Sequence, residues 1–403
     1  MTLQPLPLLS PSRASWMPRL AFAPKNSAPR GDTLVVIFLR GAADTLNIVV
    51  PHAEDAYYKL RPTLGIPRPD DNKASLRTLD LDGFFGFHPA MSPLLDAWTE
   101  KQLAIIHACG APDESRSHFK AMELMERGVD SESGPASGWI GRHLATLDTG
   151  NHSPLRAVGL GEMPQRSLSG TVPVSALRSI ADFHLKGDER AVTQMRAALD
   201  TIYSGADSFS VLGQETLAIL DILQKLDPTQ SPISNYPMTD FALALQQVSM
   251  LIKADAGLEV AAIDLGGWDT HFAQGGAEGQ QARLIKELSE GLAAFHADLR
   301  DRMSNITVVT MSEFGRRAAE NGSFGTDHGH GSMMMVMGAN VDGGKVHGAW
   351  PGLGDGQLIG PGDLAVTTDY RDVLSEILVK RLNNPALADI FPGYQSTLRG
   401  ILK

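Results

Sequence analysis

A chain of 403 residues that is 43% apolar and 20% charged has ordinary globular composition and enough length to bury a large core. Its 35 basic and 46 acidic residues give a formal charge of −11, and no basic stripe is present to neutralise the phosphates of a duplex, so nucleic acid is not an expected partner. The single cysteine, Cys109, excludes an internal disulfide and a thiolate metal site, and no apolar stretch reaches the roughly 18 residues that indicate a membrane span.

Residues 1–30 are rich in Pro, Ser and Arg, and Leu20-Ala21-Phe22-Ala23 resembles the end of an export signal with a small-residue cleavage site. No twin arginine and no long apolar segment precede it. The segment reads as a loosely ordered arm, a remnant of an export signal. As written the chain is expected to be cytoplasmic, and exported if its true start carries a twin-arginine signal.

Beyond the arm, five short aliphatic runs read as buried strands: Leu34 to Leu39, Leu103 to His107, Val260 to Leu265, Ile306 to Met311 and Met333 to Met337. Each is nearly continuous in apolarity and is followed by Gly or a polar cluster, the pattern of a parallel sheet covered on both faces. Cys109 and the Met333-Met334-Met335 run fit as core filler in such strands. Helical spacing appears in Phe241, Leu245, Val248 and Ile252, again from Leu284 through Leu288, Leu292 and Phe295 to Leu299, and in Val373, Leu374, Ile377 and Leu378. The region around 167–258 has more helical pattern than strand pattern and reads as a helical insertion over the site. Alternating strands and helices predict one α/β domain over 31–403, with a mostly parallel central sheet and helices on both faces. In such folds ligands sit beyond the carboxyl ends of the strands.

The polar clusters fall beside those strand ends. Arg40 to Asn47, containing Asp44, follows the first strand. Ser115-Arg116-Ser117-His118 follows the second, and Gly266-Gly267-Trp268-Asp269-Thr270-His271 the third. Ser312-Glu313-Phe314-Gly315-Arg316 follows the fourth, while Asp327-His328-Gly329-His330 precedes the fifth. Alternate residues of an extended segment point the same way, so Asp269 can aim with His271, and His328 with His330. Mixed Asp and His ligands suit zinc, manganese or iron. Taken singly, each pair is also what an Asx-capped turn looks like; the set together points to a shared metal site.

The runs Phe38 to Asn47, Ser115 to Phe119, Gly266 to His271, Met311 to Arg316 and Gly325 to Gly329 resemble, in order, the bacterial family called domain of unknown function 1501. The family is grouped with the alkaline phosphatase and sulfatase superfamily, whose members hold one or two metals with Asp and His and attack phosphate or sulfate esters. The resemblance implies an alkaline-phosphatase-like fold and a divalent cofactor, zinc or manganese, as one or two ions. It also implies a metal-binding role for Asp44, a nucleophile at Ser117 or Ser115, a ligand pair in Asp269 and His271, and a further ligand in His328. Thr368-Asp369-Tyr370-Arg371 resembles the superfamily's closing segment. Glu313-Phe314 departs from the common Asp-His, and Phe314 cannot ligate, so a second metal requires His328 or His330 to substitute. The spacing from Asp269 to His271 is short, which leaves Asp264 as another partner.

Residue by residue the readings divide. Ser117 has the context of a nucleophile at a helix N-terminus, and an ordinary N-cap has the same sequence. Arg40 or Arg116 would grip an oxyanion. His118 either positions substrate or faces the core. Glu313 is either a ligand or the partner of Arg316 or Arg317, and Asp327 belongs with the ligand candidates. The expected function is a metal-dependent hydrolase acting on a small anionic phosphate or sulfate ester. The alternatives are a non-catalytic binding or assembly protein on a hydrolase-like fold, or a metal-dependent mutase or isomerase.

Overall fold

The computed structural model describes residues 32–161, 164–177, 185–223 and 236–403, so the arm expected at 1–30 lies outside the described residues. Twelve strands are present among them: β1 (Thr33–Leu39), β2 (Val49–Val50), β3 (Leu79–Asp80), β4 (Gly86–Phe87), β5 (Leu103–Gly110), β6 (Ala157–Leu160), β7 (Ser175–Leu177), β8 (Val260–Leu265), β9 (Ile306–Met311), β10 (Ser332–Met337), β11 (Lys345–His347) and β12 (Thr368–Asp369). Nine of them form one sheet in the order β11-β5-β10-β9-β1-β8-β6-β7, with β12 also beside β5. The short strands β2, β4 and β3 form a separate small sheet.

Burial on both faces explains why the strand sequences are continuously apolar. In β1, Val35, Ile37 and Leu39 face one core, while Leu34, Val36 and Phe38 face the other. The first core is closed by the helices Asp240–Lys253 and Gln280–Asp298, through Leu245 and Val248 of one and Leu288 and Leu292 of the other. The helices Trp139–Thr146 and Tyr370–Lys380 close the second, through Trp139, Ile140, Val373 and Ile377. The result is the expected three-layer α/β arrangement. Cys109 and Met333 to Met335 are buried in it. None of the described helices is long and apolar enough to cross a membrane.

The sheet is mostly parallel, with one departure. β10 runs antiparallel to both its neighbours, β9 and β5. A parallel return from β9 needs a crossover back to the opposite end of the sheet. Residues 312–331 contain no helix to make it. They stay at the carboxyl end of β9, and the chain re-enters the sheet from there. The reversal positions the site, because it brings residues 327–330, which precede β10, to the same end of the sheet as residues that follow β1, β5, β8 and β9.

Within the region read as a helical insertion, β7 joins the sheet edge beside β6, and the Asp240–Lys253 helix packs against the Gln280–Asp298 helix. The helices Glu189–Ile202 and Ser208–Leu223 pair with each other.

Candidate metal centre

Three imidazoles and one carboxylate converge at that end of the sheet. His118 opens the helix His118–Arg127 that follows β5; Asp269 and His271 lie in the loop after β8; His328 precedes β10. His118, Asp269 and His328 each offer a ligand atom within 4.8 Å of the others. The His328 Nε2 is 2.9 Å from the His118 Nε2 and 2.8 Å from the His271 Nε2. The Asp269 Oδ1 is 3.2 Å from the His328 Nε2, 3.1 Å from the His271 Nε2 and 3.5 Å from the His118 Nε2.

The opposite nitrogen of each ring faces an acceptor. The His118 Nδ1 is 2.7 Å from the Glu313 Oε1, the His328 Nδ1 is 2.9 Å from the Arg116 carbonyl oxygen, and the His271 Nδ1 is 3.4 Å from the Asp327 Oδ1. A carbonyl can only accept, so the His328 Nδ1 carries the proton and its Nε2 presents a lone pair. Two more Nε2 atoms at under 3 Å from that lone pair require either a proton or a cation between them. The second-sphere pattern of carboxylate or carbonyl on Nδ1 is the one that orients metal-binding histidines.

Two of the imidazoles differ in their pull on a proton. The hydrogen bond to Glu313 raises the affinity of His118 for a proton, while burial lowers that of His328. Burial alone would raise the Asp269 carboxyl, but the Arg316 guanidinium and His328 outweigh it and hold it at about 2. Arg316 is fully buried; its Nη2 donates to the Asp269 Oδ1 at 2.6 Å, and its other contacts go to the carbonyls of Gly41, Ala42, Trp268 and Thr326. Phe314 is buried below, with its ring centroid 5.0 Å from that of His118 and 5.1 Å from that of His328. The residue that cannot ligate thus packs against two of the converging imidazoles and limits their rotation. Gly41 has φ +115°, and a Cβ there would sit 2.6 Å from the Asp269 nitrogen, so only glycine lets the β1 turn pass this close beneath Asp269.

The other sequence candidates are engaged differently. Asp44 does not join the cluster. It is buried in a bidentate ion pair with Arg61, at 2.6 and 2.9 Å, and accepts from the Gln274 Nε2 at 2.6 Å. A guanidinium thus meets the charge that the resemblance assigned to a metal. Glu313 is not at the convergence point either; it is buried and supports His118 while accepting from the Gly41 amide at 2.9 Å. It does not pair with Arg316, which is spent on Asp269. Asp327 is held by Asn321 at 3.0 Å and lies behind His271. His330 is buried, offers its carbonyl to the Gly315 amide, and is not among the converging side chains. Arg40 is bidentate to Glu126 and also paired with Asp264 at 2.8 Å. Arg116 is paired with buried Asp363. Ser117 occupies the N-cap of the His118 helix without a side-chain cap bond and is exposed, and its amide donates to the half-buried Ser115 Oγ at 3.3 Å. Sequence reasoning left His118 open between substrate and core, considered Arg316 only as a partner of Glu313, and missed Arg61 altogether. The pairings that decide them span tens to hundreds of residues and leave no local signature.

Residues 77–378 match the family model described as a protein of unknown function (DUF1501). The chain belongs to that family. No curated protein is similar to it in sequence. Among solved structures, the PsFucS1 sulfatase from Pseudoalteromonas sp. aligns over 93% of this chain and 72% of its own, with 10% identity and a TM-score of 0.38. The C-terminal periplasmic domain of EcEptC from Escherichia coli, in complex with Zn, aligns over 79% and 77%, with 9% identity and a TM-score of 0.35. The alkaline phosphatase from the Antarctic bacterium TAB5 aligns over 77% and 92%, with 10% identity and a TM-score of 0.32.

Proposed function

We propose that this DUF1501 protein holds one divalent cation between His118, His271, His328 and Asp269 and hydrolyses a small phosphate or sulfate ester there. The single observation that carries the reading is the convergence of three Nε2 atoms on one carboxylate oxygen, each ring backed by an acceptor on Nδ1. A nitrogen-rich set with one carboxylate fits zinc or manganese better than calcium or magnesium. When bound, the cation supplies positive charge that polarises the ester and favours ionisation of a neighbouring hydroxyl or water.

The chain's own groups divide the remaining work. Arg316 and Glu313 fix the ligands before substrate arrives, so no reorganisation is needed during reaction. Asp269 stays ionised down to about pH 2 and therefore remains a charged ligand throughout the physiological range. Ser117 is the nucleophile of this reading: its hydroxyl is exposed, uncommitted to the helix cap, and one residue from His118. The Ser117 oxygen would bond to the phosphorus or sulfur as the ester's alcohol leaves, with the hydroxyl proton passing to solvent, and water would then cleave the serine ester, freeing Ser117 and the inorganic anion; the helix amides beside Ser117 favour the developing oxyanion.

A second reading, a cation-binding protein without turnover, is favoured by one observation. Both arginines expected to grip the ester oxygens, Arg40 and Arg116, are already engaged by Glu126, Asp264 and Asp363. Elemental analysis of the purified chain, followed by a screen of aryl phosphates, phosphodiesters and aryl sulfates with zinc and manganese, separates the two. The hydrolase reading expects about one metal per chain and turnover of at least one class. Metal without turnover leaves the binding reading, and absence of metal removes both.

A further inference from the structure

Four phenylalanines are exposed among the described residues, and three of them lie in, or on a loop bonded to, the chain segments that carry the candidate metal centre. Phe119, 87% exposed, immediately follows His118; Phe272, 72% exposed, immediately follows His271. Phe324, 60% exposed, sits on the loop that hydrogen-bonds back to the Phe272 segment, through the Ala273 amide to the Ser323 carbonyl at 3.0 Å and the Gln274 amide to the Phe324 carbonyl at 2.9 Å. Its successor Gly325 packs against His271 so tightly that a Cβ there would lie 2.4 Å from the His271 carbonyl carbon.

Folding does not account for these rings. The His118–Arg127 helix buries Ala121, Leu124 and Met125, and Phe119 lies outside that face. Leaving a phenyl ring in water forgoes the stabilisation that burial would give, and grouped exposed apolar residues mark places where something else completes the surface. The segments that carry these rings also carry, or are hydrogen-bonded to, the segments of the proposed cation site. A molecule that engages both has an anionic head and an apolar body.

Resting on the hydrolase reading above, we infer that the substrate is a soluble monoester of an aromatic or short-chain alkyl alcohol. Its phosphate or sulfate head lies at the His118–Asp269–His328 cluster, and its alcohol portion packs on Phe119, Phe272 and Phe324. A sugar packs on a phenyl ring only through its C–H face and buries less apolar area there than an aryl or alkyl group. An anionic bilayer is disfavoured by the chain's formal charge of −11. The rings act as specificity determinants; none of them touches the reacting atoms.

Binding of non-hydrolysable analogues tests this independently of turnover. The full chain, loaded with zinc and its metal content measured, is titrated calorimetrically with phenylphosphonate and methylphosphonate, and in parallel with benzenesulfonate and methanesulfonate. The phenyl compound of at least one pair binds roughly tenfold or more tighter than its methyl counterpart, the scale of transferring one ring from water to an apolar surface. In the Phe119→Ser/Phe272→Ser variant that ratio falls to within about twofold, while metal content and affinity for the methyl compound are unchanged. A ratio near one in the native chain, or a ratio unaffected by the double substitution, overturns the inference and leaves the hydrolase reading standing. Failure to hold zinc, or to bind either methyl compound, removes the hydrolase reading and this inference with it. Binding to phosphatidylcholine vesicles that disappears in the double variant also overturns it, assigning the rings to a bilayer instead.

Discussion

Replacing Asp44 with Asn separates the pairing seen in the structure from the metal role that the family resemblance implies. Asp44 and Arg61 are both buried, and the guanidinium meets the carboxylate through two hydrogen bonds at 2.6 and 2.9 Å. Arg61 also donates to the Ala318 carbonyl at 2.8 Å, the Asn47 Oδ1 at 2.7 Å and the Arg317 carbonyl at 3.0 Å, so it cannot swing out to water without breaking several bonds. The introduced carboxamide would turn an NH2 toward the guanidinium whichever oxygen it replaced, and toward the Gln274 amide as well at Oδ2, setting donor against donor, and would leave Arg61 as an uncompensated buried cation. Removing one partner of such a pair costs about 3–5 kcal/mol. Guanidinium chloride unfolding should show a loss of that size, while elemental analysis shows unchanged metal per chain. Converting Arg61 to Met as well removes the stranded charge, and the double variant should be more stable than Asp44→Asn alone. An Asp44→Asn protein that keeps its unfolding midpoint but loses its metal would refute the reasoning and return Asp44 to the ligand set.

The remaining expectations concern the cluster and the core. His328→Ala removes the nitrogen that faces both other imidazoles, and the purified protein should carry no stoichiometric zinc while keeping its circular dichroism spectrum; retained zinc would dissolve the proposed centre. Glu313→Gln should weaken zinc affinity by about 10–100-fold, the usual effect of altering a residue that orients a ligand histidine, and competition with a chromophoric chelator would show an unchanged affinity if Glu313 were merely structural. Ser117→Ala should lower turnover by orders of magnitude with metal content intact; full activity would move the chemistry to Ser115 or to water. His88, His107 and His143 are buried, and burial lowers each of them from 6.5 to about 4. The unfolded chain takes up protons at these rings below about pH 6.5 while the folded chain stays neutral to about 4, so their contribution is complete above pH 6.5 and is lost as pH falls through that window. The slope should reach about 1.4 kcal/mol per pH unit for each ring, and urea midpoints that do not move between pH 7 and 5, with chelator present throughout, would contradict it.

The sequence by itself determined the architecture, because strands buried on both faces must be continuously apolar and helices with one buried face must repeat at three or four residues. The runs Leu34 to Leu39 and Val260 to Leu265 and the helix around Leu288 were legible for that reason. It also determined which loops carry the polar clusters, since the groups that end strands are local in the chain. Direction and partnership were decided only in three dimensions. The Met333 run looks like any other buried strand, and its antiparallel course follows from residues 312–331 staying at one end of the sheet. That reversal is what delivers His328 to Asp269. Asp44 has the local context of a ligand, yet its charge is neutralised by Arg61, from a segment whose sequence announces nothing. His118 becomes a member of the cluster, and Glu313 its support, through a contact across 195 positions of the chain. Local periodicity encodes burial, which each residue experiences through its neighbours. Which cation meets which carboxylate depends on distances that exist only after the sheet has assembled.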